Sequence, residues 1–244
     1  MPTPTGPAPT EIEVPSTGTP GLRGWLARPE GDGPFPGVVV VHEIFGVDDI
    51  MRRQVARLAA AGFVALMPDL FSAGGARRCL VSTFRALRSG HGRAYADIDA
   101  ARALLAGRED CTGRVGVIGF CMGGGFALMS ATRGFDVAAA NYGVVPKDPV
   151  HTLAGACPVI GSYGGEDRLI GTRAPHQLED ALTDARVPHR VDVYPEAGHS
   201  FLNDEPFGGR FAPVHRVMHI GPEPTSSAAA WARIDAFLHE HLDR

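Results

Sequence analysis

The chain has little of what binding to nucleic acid or a membrane requires. Its 23 Lys and Arg are offset by 27 Asp and Glu, the formal net charge is −4, and the basic residues form no run. Aromatic residues are only 7% of the chain and are not set among basic ones. No segment stays apolar long enough to cross a bilayer. We therefore expect neither a nucleic-acid nor a membrane partner.

Cysteines are also few, and their spacing suggests neither a disulfide framework nor a zinc site. The four form no C-x-x-C pair and no group with histidines: Cys79, Cys111, Cys121 and Cys157. Each is expected to be a free thiol, and we predict no metal and no cofactor. The first residues, "MPTPTGPAPT", lack the basic start and the apolar segment of a signal peptide, so a cytoplasmic location is expected.

What the chain does contain is a series of short apolar runs that predicts a mostly parallel sheet. From residue 36 onward, "GVVVVH", "FVALMP", "RVGVIGF", "VAAANY" and "CPVIGSY" alternate with helical stretches. Strands that are apolar on both faces are typical of α/β folds with helices on each side of the sheet. Two earlier strands, separated by "STGTPG", predict an N-terminal antiparallel hairpin. We expect a flexible leader at 1–10 and a single domain at 11–244.

Periodic apolar residues predict several helices of this fold. Asp48 or Asp49 is a candidate N-cap for a helix that ends before Gly62. The C-terminal helix should pack on the sheet through one apolar face. That face comprises Trp231, Ile234, Phe237 and Leu238.

The segment "GFCMGG" follows a buried strand and precedes a helix-like stretch. A Gly-x-nucleophile-x-Gly sequence at such a place lets the chain turn sharply, so that the central side chain, here Cys121, is exposed at the helix N-terminus. There the free N–H groups favour negative charge. A buried structural cysteine is the alternative interpretation of Cys121 alone.

Partners for this cysteine occur in the order nucleophile, acid, histidine that an α/β-hydrolase requires. Asp167 follows the strand "CPVIGSY", and Glu166 is a rival for its role. His199 follows the alternating strand "HRVDVY". A His–Asp pair would orient the imidazole so that its other nitrogen exchanges a proton with the thiol.

The segment "VVVVHEIFG" supplies a fourth part of the predicted site. Glu43 ends the strand, and the backbone N–H groups of Ile44 and Met122 are the candidate oxyanion-hole donors. His42 and Glu43 could together suggest metal binding, but nothing nearby completes a coordination shell.

The motifs "HEIFG", "GFCMGG" and "GHSF", supported by "VALMPDLF" and "GGEDR", resemble those of the dienelactone hydrolase family. The resemblance runs from about residue 36 to the end. It implies Cys121 as nucleophile, His199 as base and Asp167 as the residue that orients it. It also implies that Glu43 meets the thiol at rest and moves aside when substrate arrives. Pocket positions of the family are matched by Phe45, Tyr142 and Ser200.

The chain departs from this family where a substrate carboxylate would bind. The family has an arginine shortly after its His-Ser-Phe, whereas here Leu202, Asn203 and Asp204 follow. A second family arginine would correspond to one of four residues, namely Arg77, Arg78, Arg85 and Arg88. Without the first arginine and with Asp204 added, a strongly anionic lactone is disfavoured as the substrate.

The sequence thus predicts a monomeric hydrolase that opens a lactone or small ester through a thioester with Cys121. One alternative is a non-catalytic small-molecule binding or sensing protein on the same fold. Another is redox sensing by Cys121, which would need a second thiol nearby. Residues 203–225, rich in Gly and Pro, are predicted to form a loop beside the pocket.

Overall fold

An eight-stranded sheet forms the centre of the computed structural model, which describes residues 6–206 and 218–243. The strands are β1 (Thr10–Val14), β2 (Leu22–Ala27), β3 (Phe35–Val41), β4 (Val64–Pro68), β5 (Cys111–Phe120), β6 (Val137–Asn141), β7 (Val159–Gly164) and β8 (His189–Tyr194). The helices are α1 (Asp49–Ala60), α2 (Ala76–Ser89), α3 (Arg93–Ala106), α4 (Met122–Ser130), α5 (Pro149–Thr152), α6 (Ala174–Asp184) and α7 (Pro224–Leu242).

The order of the strands is β1-β2-β4-β3-β5-β6-β7-β8. β1 pairs antiparallel with β2 and β2 antiparallel with β4, while every pairing from β4 through β3 to β8 is parallel. The predicted α/β class and the N-terminal hairpin are both confirmed. Because β3 to β8 run in one direction, their carboxyl ends meet at one edge of the sheet.

Two layers of apolar side chains cover the two faces of the sheet. Val39 and Val41 of β3 point into the layer that contains α3 and α4, whereas Val38 and Val40 point into the layer that contains α1 and α7. Successive side chains of a strand alternate between faces, so a strand covered on both sides needs apolar residues at every position. This explains the unbroken "VVVV" run.

The N-cap of α1 and the buried face of α7 agree with the predictions from the sequence. Asp48, rather than Asp49, caps α1, because its side chain accepts a hydrogen bond of 2.8 Å from the N–H of Met51. In α7, Trp231 and Ile234 are buried on the predicted face. Within the described residues no helix has the length and hydropathy needed to cross a membrane.

Truncation of Ile234 to Ala should lower the free energy of unfolding by about 2–5 kcal/mol, because this side chain is fully buried between α7 and the sheet. Urea denaturation followed by circular dichroism measures the change. The exposed neighbour Ala232 provides the matched control, since Ala232→Ser should change the stability by less than about 0.5 kcal/mol. Equal effects of the two substitutions would contradict the packing of α7 described here.

Candidate active site

The predicted site residues lie on loops that leave the carboxyl edge of the sheet. Glu43 follows β3, Cys121 follows β5, Asp167 follows β7 and His199 follows β8. Loops at this edge of neighbouring parallel strands lie close together in space.

Cys121 occupies a sharp turn between β5 and α4. Its φ of 54° and ψ of −114° lie outside the regions that side-chain-bearing residues usually adopt. Two glycines make the turn possible: a Cβ on Gly119 would meet the carbonyl oxygen of Gly123 at 1.9 Å, and a Cβ on Gly123 would meet that of Val41 at 2.0 Å. The cysteine is partly exposed, so it is not a fully buried structural thiol.

His199 and Asp167 form a buried pair. Nδ1 of His199 lies 2.7 Å from Oδ2 of Asp167, and each residue is 2% exposed. The other oxygen, Oδ1, accepts hydrogen bonds from the N–H groups of Leu169 (2.9 Å) and Ile170 (3.0 Å). Glu166 is exposed, so the structure brings Asp167 and not its rival to the histidine. The second ring nitrogen of His199, Nε2, makes no hydrogen bond to a described residue.

The electrostatics of this pair favour a protonated imidazole. Burial lowers the pKa of His199, but its hydrogen bond with Asp167 and its interaction with Cys121 outweigh burial and raise that pKa to about 10. Since Nδ1 is bound to Asp167, Nε2 is the nitrogen left to exchange a proton with the thiol.

Glu43 is a buried carboxyl beside this pair. Its Oε1 accepts a hydrogen bond of 3.0 Å from Oγ of Ser200. Burial raises the pKa of Glu43, while interactions with His199, Ser200 and Asn203 oppose that increase. Ser200, one of the three expected pocket residues, therefore lies next to Glu43.

The other two expected pocket residues differ in their surroundings. Tyr142 is fully buried, and its ring packs edge-on against that of His199 with the centroids 5.1 Å apart. Burial, together with the nearby Glu43 and Cys121, raises the pKa of Tyr142 well above its usual value. Phe45 is 54% exposed and lies on the loop after β3.

The two candidate oxyanion donors are both available. Ile44 lies on the loop after β3, and Met122 is the first residue of α4. Neither backbone N–H donates a hydrogen bond to another of the described residues. A free N–H at each place is what a developing oxyanion would require.

His42 has a structural environment rather than that of a metal ligand. Its Nδ1 lies 2.7 Å from the carbonyl oxygen of Glu43, and its Nε2 accepts from the N–H of Leu70 at 3.2 Å. Both ring nitrogens are thus engaged, and the bond from Leu70 joins the segment after β3 to the segment after β4. The part of the chain that the structure describes holds no group of three His, Cys, Asp or Glu residues suited to a metal ion.

The remaining cysteines give no support to a disulfide with Cys121. Cys111 begins the 10-residue strand β5, so it lies roughly 30 Å from the cysteine at the other end. The N–H of Cys157 bonds to Ala131, just past the far end of α4. Burial raises the pKa of Cys157 to about 12, which makes it a poor nucleophile.

Two residues next to the site were not singled out by sequence reasoning. Arg53 of α1 binds Asp204 through two hydrogen bonds, of 2.5 and 2.8 Å, so the charge of Asp204 is compensated. In addition, Nε2 of Gln54 donates to the carbonyl oxygen of Leu202 at 3.0 Å. Helix α1 therefore holds the loop that follows His199. No motif signals these contacts, because the partners are far apart in sequence.

The four arginines considered as possible ligands of a substrate carboxylate all lie on α2. All four arginines of α2 are exposed: Arg77, Arg78, Arg85 and Arg88. The structure therefore does not single one out. Residues 207–217 of the loop predicted at 203–225 lie outside the described residues.

The sheet topology, the elbow and the buried His–Asp pair define an α/β-hydrolase. The family model described as "Dienelactone hydrolase family" matches residues 22–242, and the chain belongs to this family. It is a dienelactone hydrolase-like hydrolase.

Individual relatives agree with this assignment. A "Putative carboxymethylenebutenolidase" of Methylorubrum extorquens strain AM1 is 34% identical over 90% of this chain and 77% of its own length. The carboxymethylenebutenolidase of Rhodococcus opacus is 29% identical over 97% of this chain and 94% of its own. The crystal structure of a "putative dienelactone hydrolase" from Klebsiella pneumoniae superposes with a TM-score of 0.76 at 29% identity, covering 93% of this chain and 96% of that one.

We predict that the His199 ring titrates well above its ordinary pKa of 6.5, and that Asp167→Asn and Cys121→Ala each lower this pKa by removing an interaction that raises it. Two-dimensional ¹H–¹⁵N NMR of the imidazole measures the titration. Because the folded pKa is the higher one, the stabilisation is present below pH 6.5 and is lost as the pH rises through about 10.

The matched control for this titration is Cys157→Ala, which alters a cysteine at the opposite end of α4 and should leave the His199 ring unchanged. A wild-type ring that titrates at or below 6.5 would contradict the electrostatics described above.

Proposed function

We propose that the protein hydrolyses lactones or small carboxylic esters by nucleophilic catalysis at Cys121. The observation that carries this proposal is the arrangement of Cys121 on its elbow beside His199, whose Nδ1 is 2.7 Å from Asp167. A cysteine, a base and a residue that orients the base form the set required for a covalent acyl transfer.

In the first half of the reaction, Sγ of Cys121 attacks the carbonyl carbon as a thiolate, with its proton held on Nε2 of His199. The carbonyl oxygen becomes negative and accepts hydrogen bonds from the N–H groups of Ile44 and Met122. When the C–O bond breaks, the leaving alkoxide takes the proton from His199. The product of this half is a thioester and a free alcohol, or in a lactone the hydroxyl end of the same molecule.

In the second half, water attacks the thioester while His199 accepts one of its protons. The tetrahedral intermediate collapses by breaking the C–S bond, which releases the carboxylic acid and restores the thiolate beside the imidazolium. Asp167 holds the ring in one orientation throughout and stabilises its positive form. We expect a monomer to carry out this cycle without a cofactor.

Glu43 is proposed to restrain the thiolate before substrate binds. Its carboxyl group is buried beside His199 and is tied to Ser200 at 3.0 Å. A carboxylate near a thiol disfavours the thiolate, and a substrate that displaces Glu43 would remove that effect. This arrangement would limit oxidation of the resting cysteine.

Replacement of Cys121 by Ala should lower kcat/KM for p-nitrophenyl acetate or a dienelactone by at least ~10³-fold, because it removes the sulfur atom that forms the acyl-enzyme. Mass spectrometry of rapidly quenched wild-type enzyme should show one acyl group on the peptide that contains Cys121. Cys157→Ala is the control and should retain full activity. If the wild-type protein shows no Cys121-dependent turnover of any ester, the binding or sensing alternative is favoured instead.

Replacement of Glu43 by Gln should increase the rate of Cys121 alkylation by iodoacetamide severalfold near neutral pH, because it removes a carboxylate that opposes the thiolate. The rate is measured by loss of titratable thiol. Glu166→Gln removes an exposed carboxylate from the neighbouring loop and should leave the rate unchanged. A Glu43→Gln variant no more reactive than the wild type would argue against the restraining role.

A further inference from the structure

His42 lies directly before Glu43 and Ile44 in the chain, and its imidazole ring is fully buried. Its Nδ1 lies 2.7 Å from the carbonyl oxygen of Glu43, and its Nε2 lies 3.2 Å from the backbone nitrogen of Leu70. A buried polar side chain whose hydrogen bonds are all satisfied makes its surroundings rigid. The ring therefore holds in place the backbone groups that are bonded to it.

The two partners of the ring determine where its proton lies. The N–H of Leu70 can only donate, so Nε2 is the acceptor nitrogen. The carbonyl oxygen of Glu43 can only accept, so Nδ1 carries the proton. Burial lowers the pKa of His42 and outweighs the hydrogen bond and the nearby carboxylates of Asp69 and Asp48, which raise it. The ring is therefore neutral and donates from Nδ1.

The carbonyl oxygen of Glu43 and the N–H of Ile44 belong to the same peptide group. That group is planar and trans, so its C=O and N–H point in opposite directions and turn together. The N–H of Gly46 donates a second hydrogen bond, of 3.1 Å, to the same carbonyl oxygen. The N–H of Ile44 makes no hydrogen bond to a described residue. A restraint on the carbonyl oxygen therefore fixes the direction in which this free N–H points.

The loop that follows β4 holds the ring from its other side. Leu70 donates to Nε2, and the ring of Phe71 packs edge-on against the imidazole with the centroids 4.9 Å apart. The carboxylate of Asp69 in turn accepts from the N–H of Phe71 at 2.9 Å and from the guanidinium of Arg23 at 2.8 Å. The imidazole thus connects a well-braced loop to the peptide group that follows β3.

We propose that His42 is a positioning residue for the oxyanion hole, and that its Nδ1–H holds the Glu43–Ile44 peptide so that the N–H of Ile44 is directed at the developing oxyanion. His42 does not touch the substrate. It acts through the peptide group, whose N–H also becomes a stronger donor when its carbonyl oxygen accepts a hydrogen bond. This inference rests on the proposed hydrolytic function and adds a residue that supports its oxyanion hole.

Two substitutions at this position separate the two bonds of the ring. The amide nitrogen of an asparagine side chain is attached to Cγ, as is Nδ1 of histidine, so His42→Asn can keep the bond to Glu43 while it loses the bond to Leu70. His42→Gln places an amide oxygen one bond further out, near the position of Nε2. This variant can keep the bond to Leu70 while it loses the bond to Glu43.

His42→Gln should slow the acylation of Cys121 by p-nitrophenyl acetate by about 10–100-fold, because a misdirected oxyanion donor loses much of its effect. His42→Asn should restore the rate to within about threefold of the wild type, even where its melting temperature is the lower of the two. The rate is measured in stopped flow as release of p-nitrophenol with enzyme in excess. His189→Gln is the matched control, since it removes a bond from Nδ1 to the carbonyl oxygen of Val187, also 2.7 Å, at the amino edge of the sheet.

Alkylation of Cys121 by iodoacetamide distinguishes positioning from general disruption of the site. This displacement at a saturated carbon forms no oxyanion, so His42→Gln should not lower its rate, measured by loss of titratable thiol. A loss in alkylation equal to that in acylation would overturn the inference. Acylation that is unchanged in His42→Gln, or as slow in His42→Asn as in His42→Gln, would overturn it too.

A measurement on the wild-type protein tests the same contact without a substitution. Two-dimensional ¹H–¹⁵N NMR of the imidazole should show His42 neutral near neutral pH, with its proton on Nδ1. A proton on Nε2, or on both nitrogens, would overturn the inference.

This inference and the proposed function fail in different ways. If the wild type forms no acyl group on Cys121, both are overturned. If it does, and His42→Gln is acylated equally fast, only the role of His42 is overturned.

Discussion

The contact between β5 and α4 is the constraint on which the catalytic arrangement depends. A Cβ on Gly119 would collide with Gly123, and a Cβ on Gly123 would collide with the end of β3 at Val41, so only glycine fits at either place and the chain can turn within the single residue Cys121. The same contact leaves the first N–H of α4, that of Met122, without an acceptor among the described residues. One backbone bend thus exposes Cys121, the proposed nucleophile, and leaves the N–H of Met122 free for the oxyanion role proposed for it.

Burial then determines how the charged groups around that bend behave. Asp167 receives two backbone hydrogen bonds and pairs with His199, so the oxygens of this buried carboxyl group all have hydrogen-bond partners. No backbone N–H of a described residue donates to the carboxyl group of Glu43, and burial raises its pKa. The two buried carboxyl groups therefore differ in how firmly hydrogen bonds hold them. This difference fits the orienting role proposed for Asp167 and the movable role proposed for Glu43.

Much of the fold and of the site could be predicted because these features depend on short, continuous stretches of sequence. The "VVVV" run, the cap at Asp48 and the glycines around Cys121 each reflect a local backbone requirement. Helix α2 was harder to predict, since its buried positions include Cys79, Thr83 and Ala86 in place of large apolar residues.

Contacts between distant segments could not be predicted in the same way. The ion pair of Arg53 with Asp204 joins residues 151 positions apart, and only the folded chain brings them together. The sequence suggested that Asp204 adds negative charge to the site, whereas Arg53 compensates that charge.

Helix α1 joins the two sides of the reaction centre. It begins at Asp49, shortly after Ile44, and its first turns hold the segment after His199 through Arg53 and Gln54. Ile44, the proposed oxyanion donor, and His199, the proposed base, thus lie on segments that are both connected to this helix, so a shift of the helix would displace both at once. Substitutions that admit bulkier molecules would then be expected outside this helix, at positions such as Phe45, Val144 and Leu169, which face solvent on three separate loops at the carboxyl edge of the sheet.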